Sequence, residues 1–268
     1  MDLIEALEYF DEQVDYARAK KCVDAGKSGD SCPQCLKQRY YAGMPVDYSC
    51  DQLRLIYALR YLPVHLKENL DILESLAAKG VQNNWGSPVE VLALGGGPGS
   101  EIAALHTFVA SEGFFGVEVP EIHVTRLDRV KEWDEISKKV RSISKSKKTK
   151  FKYFRIDGDV CEVQRFKGAY DLVFFSYIVS ELTDAKATEL ASALKKVLKK
   201  TAVLVFNDRN EEAVVSRIAL IASQFNCIAE YVSTKMNHVG MSYPDAIKDK
   251  VGPKLRLTSY RRGIIVTP

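Results

Sequence analysis

The residues best spaced for chemistry begin in the stretch VEVLALGGGPGSEIAAL, residues 89–105, where an apolar run breaks into Gly95, Gly96, Gly97, a proline and Gly99 before a helix-forming segment resumes. Glycine at this density serves a backbone that turns tightly or lets a ligand approach. The N–H groups that open the following helix point at whatever sits there. No Gly-Lys-Ser/Thr follows, which excludes a P-loop, whereas the dinucleotide fingerprint is met at Gly95 and Gly97 and broken at Ser100. Polar residues then end the later apolar runs. Asp128, followed by Arg129, is placed to accept hydrogen bonds from both hydroxyls of a ribose, and Asp157 or Asp159, beside Val160, to receive an exocyclic amine. Ser176 and Tyr177 close the run YDLVFFSY. Asp208 and Arg209, in NDRN, are placed to contact or deprotonate an acceptor; Asp208 serves equally as the cap of the helix expected after it. His238, in the loop MNHVGMSYP, could also face the pocket, although a lone loop histidine is more often solvated.

A second constellation is made of cysteine. Four of the six, Cys22, Cys32, Cys35 and Cys50, fall near the start, and Cys32-Pro-Gln-Cys35 has the gap with which two thiolates grip one tetrahedral metal. Cys22 and Cys50 can complete a four-cysteine structural zinc site; free thiols and a redox pair are the competing readings. Cys161 and Cys227 sit in apolar surroundings and read as core.

The elements that position these residues follow from periodicity. Apolar residues at helical spacing predict a helix over 2–21, then a loop-like cysteine segment to about residue 50. Residues 51–79 predict a helix interrupted at Pro63 and then a second helix. From Pro88 onward short strands (89–94, 121–128, 151–157, 170–177, 201–208 and 227–234) alternate with helices (100–111, 130–143, 183–198 and 211–225). Residues 254–268 hold two strand-like runs with no helix between them, which suggests an antiparallel edge pair. The alternation predicts an α/β fold, a mostly parallel sheet with helices on both faces. Ligands of such sheets bind beyond the carboxyl ends of the strands.

Taken as a set, "VLALGGGPGSE", "VTRLDR", "RIDGDV" and "YDLVFFSYIVSELTD" resemble the class I S-adenosylmethionine-dependent methyltransferases over about residues 88–268. The form of the glycine and SYIVSEL motifs is closer to ribosome-associated and rRNA methyltransferases than to small-molecule O-methyltransferases. The resemblance implies a Rossmann-like, seven-stranded methyltransferase domain over 86–268 with an N-terminal helical cap over 1–85. It also implies that Gly95, Gly97 and Gly99 pass the methionine portion of S-adenosylmethionine, with Asp128 on the ribose and Asp159, less so Asp157, on the adenine amine. Ser176 and Tyr177 would line the pocket by the methyl group, with Tyr177, Asp208 and Arg209 as catalytic candidates. The acidic residue such enzymes often carry two places before the first glycine is Ala93 here, so Glu90 or Glu101 would take its role. Ser176 and Asn207 stand where a cysteine nucleophile would be needed, which favours transfer to nitrogen or oxygen over carbon.

Composition sets the frame. The chain has 268 residues, 46% hydrophobic and 27% charged, with a formal net charge of +3. That is ordinary for a globular protein with a full core. The acidic, amphipathic start fits neither a secretory signal nor a transit peptide, so a cytoplasmic or nuclear location is expected. The run KKVRSISKSKKTKFKYFR, residues 138–155, has no acid and can attract phosphates. A solvated helix and loop is the competing reading of this run; joined to the resemblance to rRNA methyltransferases, the run and the cap make RNA the expected substrate. A small-molecule or protein methyltransferase, or a catalytically silent scaffold of the same fold, are the alternatives.

Overall fold

The computed structural model describes residues 2–18, 31–41, 46–80, 85–143, 148–165 and 168–267. The strands are β1 (Val89–Leu94), β2 (Glu121–Asp128), β3 (Lys150–Asp157), β4 (Tyr170–Ser176), β5 (Leu198–Arg209), β6 (Asn226–Ser233), the short β7 (Asn237–His238) and β8 (Arg256–Leu257), and β9 (Ser259–Thr267). Seven of them form one sheet in the order β3-β2-β1-β4-β5-β9-β6. The first five are parallel, and β9 runs antiparallel to both β5 and β6. The expected antiparallel edge pair is thus corrected. The last strand is inserted inside the sheet and β6 is the edge, while β8 pairs with β7 in a separate ribbon. Ile264, Ile265 and Val266, all fully buried, explain the insertion, because a strand apolar on both sides is stable only when covered on both faces.

Helices α1 (Leu3–Glu12), α2 (Cys32–Tyr41), α3 (Asp51–Ala77), α4 (Ser100–Glu112), α5 (Asp134–Val140), α6 (Asp184–Leu194), α7 (Glu212–Ala222) and α8 (Asp245–Val251) surround the sheet. Alternate strand residues face opposite layers. Val91, Leu172, Phe174, Val203 and Ile265 join the cluster containing α1, α3 and α4, whereas Leu92, Val173, Phe175, Leu204 and Ile264 join that of α6 and α7. Helices α1, α2 and α3 and the sheet thus share one hydrophobic cluster. At Gly263 a side chain would lie 2.5 Å from Ile72 and 2.6 Å from Leu76, so the missing Cβ is what lets α3 lie flat on β9.

Several local expectations change for physical reasons. The helix expected over 2–21 ends at Glu12, because the Asp15 carboxylate accepts the N–H groups of Ala17 and Arg18 and holds a turn there. The cysteine segment is not all loop: Cys32 opens α2, with the Ser31 hydroxyl accepting the Gln34 N–H. The segment before β8 contains α8.

Pro63 does not interrupt its helix, and α3 is continuous for 27 residues. An interior proline leaves the carbonyl four residues earlier without its helical donor, at a cost of about 3 kcal/mol. Here the Leu59 carbonyl accepts the Tyr243 hydroxyl at 3.0 Å, and the Arg60 carbonyl accepts the Lys254 N–H at 3.0 Å. The flaw in the helix becomes the docking point for the segment that carries Lys254.

Candidate active site

Four strand ends, those of β1 to β4, and the start of α4 meet in one pocket, whose floor is the loop Gly95–Gly97. Gly95 has φ +60° and a side chain there would meet Ile178 at 2.6 Å, so the turn out of β1 requires glycine. The Asp128 carboxylate accepts the N–H groups of Gly97 and Val130, each at 2.8 Å. It thereby fixes the loop and retains lone pairs for a ligand. Burial pushes its pKa up, and those two bonds oppose the rise.

Glu90 and Glu101, the two carboxylates that could substitute for an acid at Ala93, face different parts of the molecule. Glu90 lies near the start of β1 and bonds His123 at 3.0 Å, away from the pocket. Glu101 lines the pocket, fully buried, and its Oε1 has no hydrogen-bond partner among the described residues. A side chain at Gly96 would meet both Glu101 Oε1, at 2.8 Å, and the Ala93 methyl, at 3.3 Å. The carboxylate from α4 therefore occupies the neighbourhood that the small residue on β1 leaves open. Burial raises its pKa to about 7 against the Ser100 hydroxyl and the Arg126 charge. An orphaned, desolvated carboxylate fits a cationic ligand group.

Asp159 lines the pocket, accepts the Cys161 N–H at 2.9 Å and faces Lys186 at 3.4 Å; these contacts hold its carboxyl below the usual range. Val160, Arg129, Ser176 and Tyr177 also line it, and Arg129 reaches Glu181 at 3.7 Å across the rim. Four predicted residues stand elsewhere. Asp157 turns out to Arg155 at 2.5 Å, and Gly99 opens α4 facing Ser137 of α5. Asp208 is fully buried behind the pocket and accepts the Ser180 N–H at 3.0 Å. It neither faces the pocket nor caps α7, whose cap is Glu211. Burial raises Asp208 to about 6. Arg209 pairs with Glu211 at 3.9 Å outside the pocket, and His238 is exposed on β7.

At the β4 end lies a polar cluster that strand-end reasoning missed. Glu68 of α3, fully buried, presents Oε2 to His65 Nδ1 at 3.0 Å and accepts the Tyr177 hydroxyl and Asn207 Nδ2, each at 3.2 Å. Lys254 Nζ lies 3.1 Å from the Tyr177 hydroxyl and 3.7 Å from Glu68 Oε1. Burial by itself would raise the Glu68 pKa, yet the bond from His65 and the Lys254 charge outweigh it and keep the carboxylate ionised. Asn69 Nδ2 bonds Ser176 Oγ at 3.2 Å. Tyr177 takes φ +56°, a conformation costing about 1–3 kcal/mol for a side-chain-bearing residue, held by its N–H on the Asn207 carbonyl. The sequence did carry a signal. In VHLKENL, polar residues 65, 68 and 69 share one helical face that is otherwise apolar. Tyr48, Tyr57 and Trp133 complete the aromatic side of the pocket.

Cys22 lies outside the described residues. Among the described residues no group of three His, Cys, Asp or Glu comes together to hold a metal. Cys32 is buried at the start of α2, Cys35 is half-buried on the same helix, and Cys50 precedes α3.

The sheet with its inserted antiparallel strand, and the glycine loop leaving β1, make a Rossmann-like α/β fold. The chain belongs to the Rsm22 family, whose model, described as mitochondrial small ribosomal subunit Rsm22, matches residues 53–230. Comparison with curated proteins gives no match. Similar solved structures include the plantazolicin methyltransferase BpumL in complex with SAH, 14% identical, covering 87% of this chain and 94% of that one at a TM-score of 0.49. N-methyltransferase NodS from Bradyrhizobium japonicum WM9 is 12% identical over 77% of this chain and 97% of its own, at 0.45. A SAM-dependent methyltransferase from Methanosarcina mazei is 13% identical over 71% and 95%, at 0.44.

Proposed function

We propose that this chain binds S-adenosylmethionine and methylates a nitrogen or oxygen atom of RNA in the small ribosomal subunit. The observation that carries the cofactor reading is the convergence of Glu101, Asp128 and Asp159 on one glycine-floored pocket. Their chemistry matches the cofactor's groups: Glu101 takes the α-ammonium, Asp128 the ribose hydroxyls, and Asp159 with Val160 the adenine edge. Gly95 and Gly97 let the backbone pass the methionine portion, Arg129 stands at the rim, and Ser176 and Tyr177 face the acceptor side. The cofactor supplies an electrophilic methyl group on a sulfonium sulfur. The protein's own share is to position the acceptor and exclude water, which can supply much of the rate.

RNA as the acceptor is supported by the family's description and by the basic run. Lys150 and Lys152 lie on the edge strand β3 beside the exposed Phe154. Lys152 pairs with Glu121 and Lys148 with Glu118, so the field there is partly compensated; Lys138 and Lys150 have no ion pair among the described residues. The test is transfer of tritiated methyl from S-adenosylmethionine into deproteinised small-subunit RNA, total protein and a metabolite fraction, each incubated separately. Label in the RNA supports the reading; label confined to protein or metabolites refutes the RNA substrate. Reversing Lys138 and Lys150 to glutamate should weaken RNA binding and flatten its salt dependence by a log–log slope of about 1.4–1.8.

A further inference from the structure

We propose that His65, oriented by Glu68, is the base that takes the proton from the acceptor atom as that atom is methylated. The inference rests on the methyltransferase reading and adds the group that makes an N–H or O–H acceptor nucleophilic. The His65 side chain is 3% exposed and its ring lines the pocket. Its Nδ1 lies 3.0 Å from Glu68 Oε2, an oxygen that also receives the Tyr177 hydroxyl and Asn207 Nδ2. An ionised carboxylate can only accept, so Nδ1 must carry the proton and Nε2 is left with a lone pair. That Nε2 is buried and has no hydrogen-bond partner among the described residues. Buried polar atoms are ordinarily paired, and an unpaired acceptor on a ring that lines the pocket can be matched by a donor on the ligand.

The ring is clamped in place. Tyr61 stacks on one side with centroids 5.6 Å apart, and the Tyr177 ring lies at 4.0 Å. The ionisable groups facing it are Glu68, Tyr57 and Tyr61 from α3, Tyr177 from the end of β4, and Lys254 from the segment after α8. Burial lowers the imidazole pKa, Lys254 lowers it further, and Glu68 opposes both. The resting ring is therefore neutral, and its conjugate acid has a carboxylate ready to hold it. In the step, the acceptor's N–H or O–H proton passes to Nε2. The electron pair so freed forms the bond to the methyl carbon, and the carbon–sulfur bond of the sulfonium donor breaks with its pair left on sulfur. The imidazolium then gives its proton to water. Such a base serves an acceptor that keeps its hydrogen until transfer, a hydroxyl or a ring or amide N–H, and is superfluous for a bare nitrogen lone pair.

The test combines nitrogen NMR on histidine-labelled full-length protein, calorimetry with S-adenosylhomocysteine, and transfer of tritiated methyl into small-subunit RNA. The His65 signal, assigned by its loss in His65→Gln, is expected to show a protonated Nδ1 and a lone pair on Nε2 at neutral pH. His65→Gln should bind S-adenosylhomocysteine within about threefold of wild type yet lose about 10²–10⁴ in transfer rate. The wild-type rate should fall as pH drops through the imidazole pKa, below the usual value of about 6.5. Glu68→Gln keeps the ring in place and should move that inflection further down. A proton on Nε2, an imidazolium at neutral pH, or transfer by His65→Gln within about tenfold of wild type overturns the role of His65. Wild-type protein that binds no S-adenosylhomocysteine overturns the methyltransferase reading itself, and the two failures are thereby distinguished.

Discussion

Replacing Glu101 by glutamine tests the cofactor reading and the electrostatics of the pocket in one protein. The folded pKa is about 7 against an ordinary value of 4.5, because burial favours the neutral form. A carboxyl whose folded pKa is raised binds protons more tightly when folded, so stability is lost as pH rises between those values. The difference of roughly 2.5 units, at about 1.36 kcal/mol each, amounts to about 3 kcal/mol above neutrality. Glutamine keeps the shape and carries no charge. Glu101→Gln should therefore be more stable than wild type by about 3 kcal/mol near pH 8, which for a chain of this size raises Tm by roughly 5 °C. Most of that gain should vanish near pH 5, where the native carboxyl is protonated. Binding should move the opposite way. S-adenosylhomocysteine should bind about 10–150-fold more weakly to the variant, the worth of a hydrogen bond to a charged group. In the wild type its affinity should rise with pH through about 7. Differential scanning calorimetry at the two pH values and titration calorimetry read both quantities. A Tm difference that does not change with pH, or unchanged ligand affinity, would refute the reasoning.

Other perturbations follow from the same geometry. Asp128→Ala removes the acceptor for the Gly97 and Val130 N–H groups, and should lower S-adenosylhomocysteine affinity at least about tenfold by calorimetry. Gly263→Ala drives a methyl group against Ile72 and Leu76, and should cost about 1–3 kcal/mol in urea unfolding. Tyr243→Phe leaves the Leu59 carbonyl without its donor, and should cost about 1 kcal/mol with faster amide exchange in α8 and the segment up to Lys254.

Sequence patterns make the central architecture legible because they are local. Runs such as VEVLAL and YDLVFFS are apolar on both faces, and a strand of that kind must lie inside a covered sheet. The carboxyl end of each such strand is then a candidate site, which is how Asp128, Asp159, Ser176 and Tyr177 are reached. The same logic misplaces Asp157, two residues short of the carboxylate that does face the pocket, and Asp208. Periodicity fixes which residues end a strand but not which way a turn carries the side chain. Asp208 shows the limit well, since its partner is the Ser180 N–H of the loop after the neighbouring strand.

What the sequence by itself determined is the α/β alternation, the glycine turn and the acidic strand ends, each encoded within a few adjacent residues. Tertiary structure alone decided which of two carboxylates, Glu90 or Glu101, lines the glycine-floored pocket, because they are separated only by the side of the fold they face. It also decided that Pro63 leaves α3 unbroken, through Tyr243 and Lys254, which lie nearly two hundred residues further along the chain. The His65–Glu68 pair is the clearest case. Its spacing was written in the helix, but its meaning depends on Tyr177, Asn207 and Lys254, three residues brought to it from distant parts of the chain by the packing of α3 on the sheet.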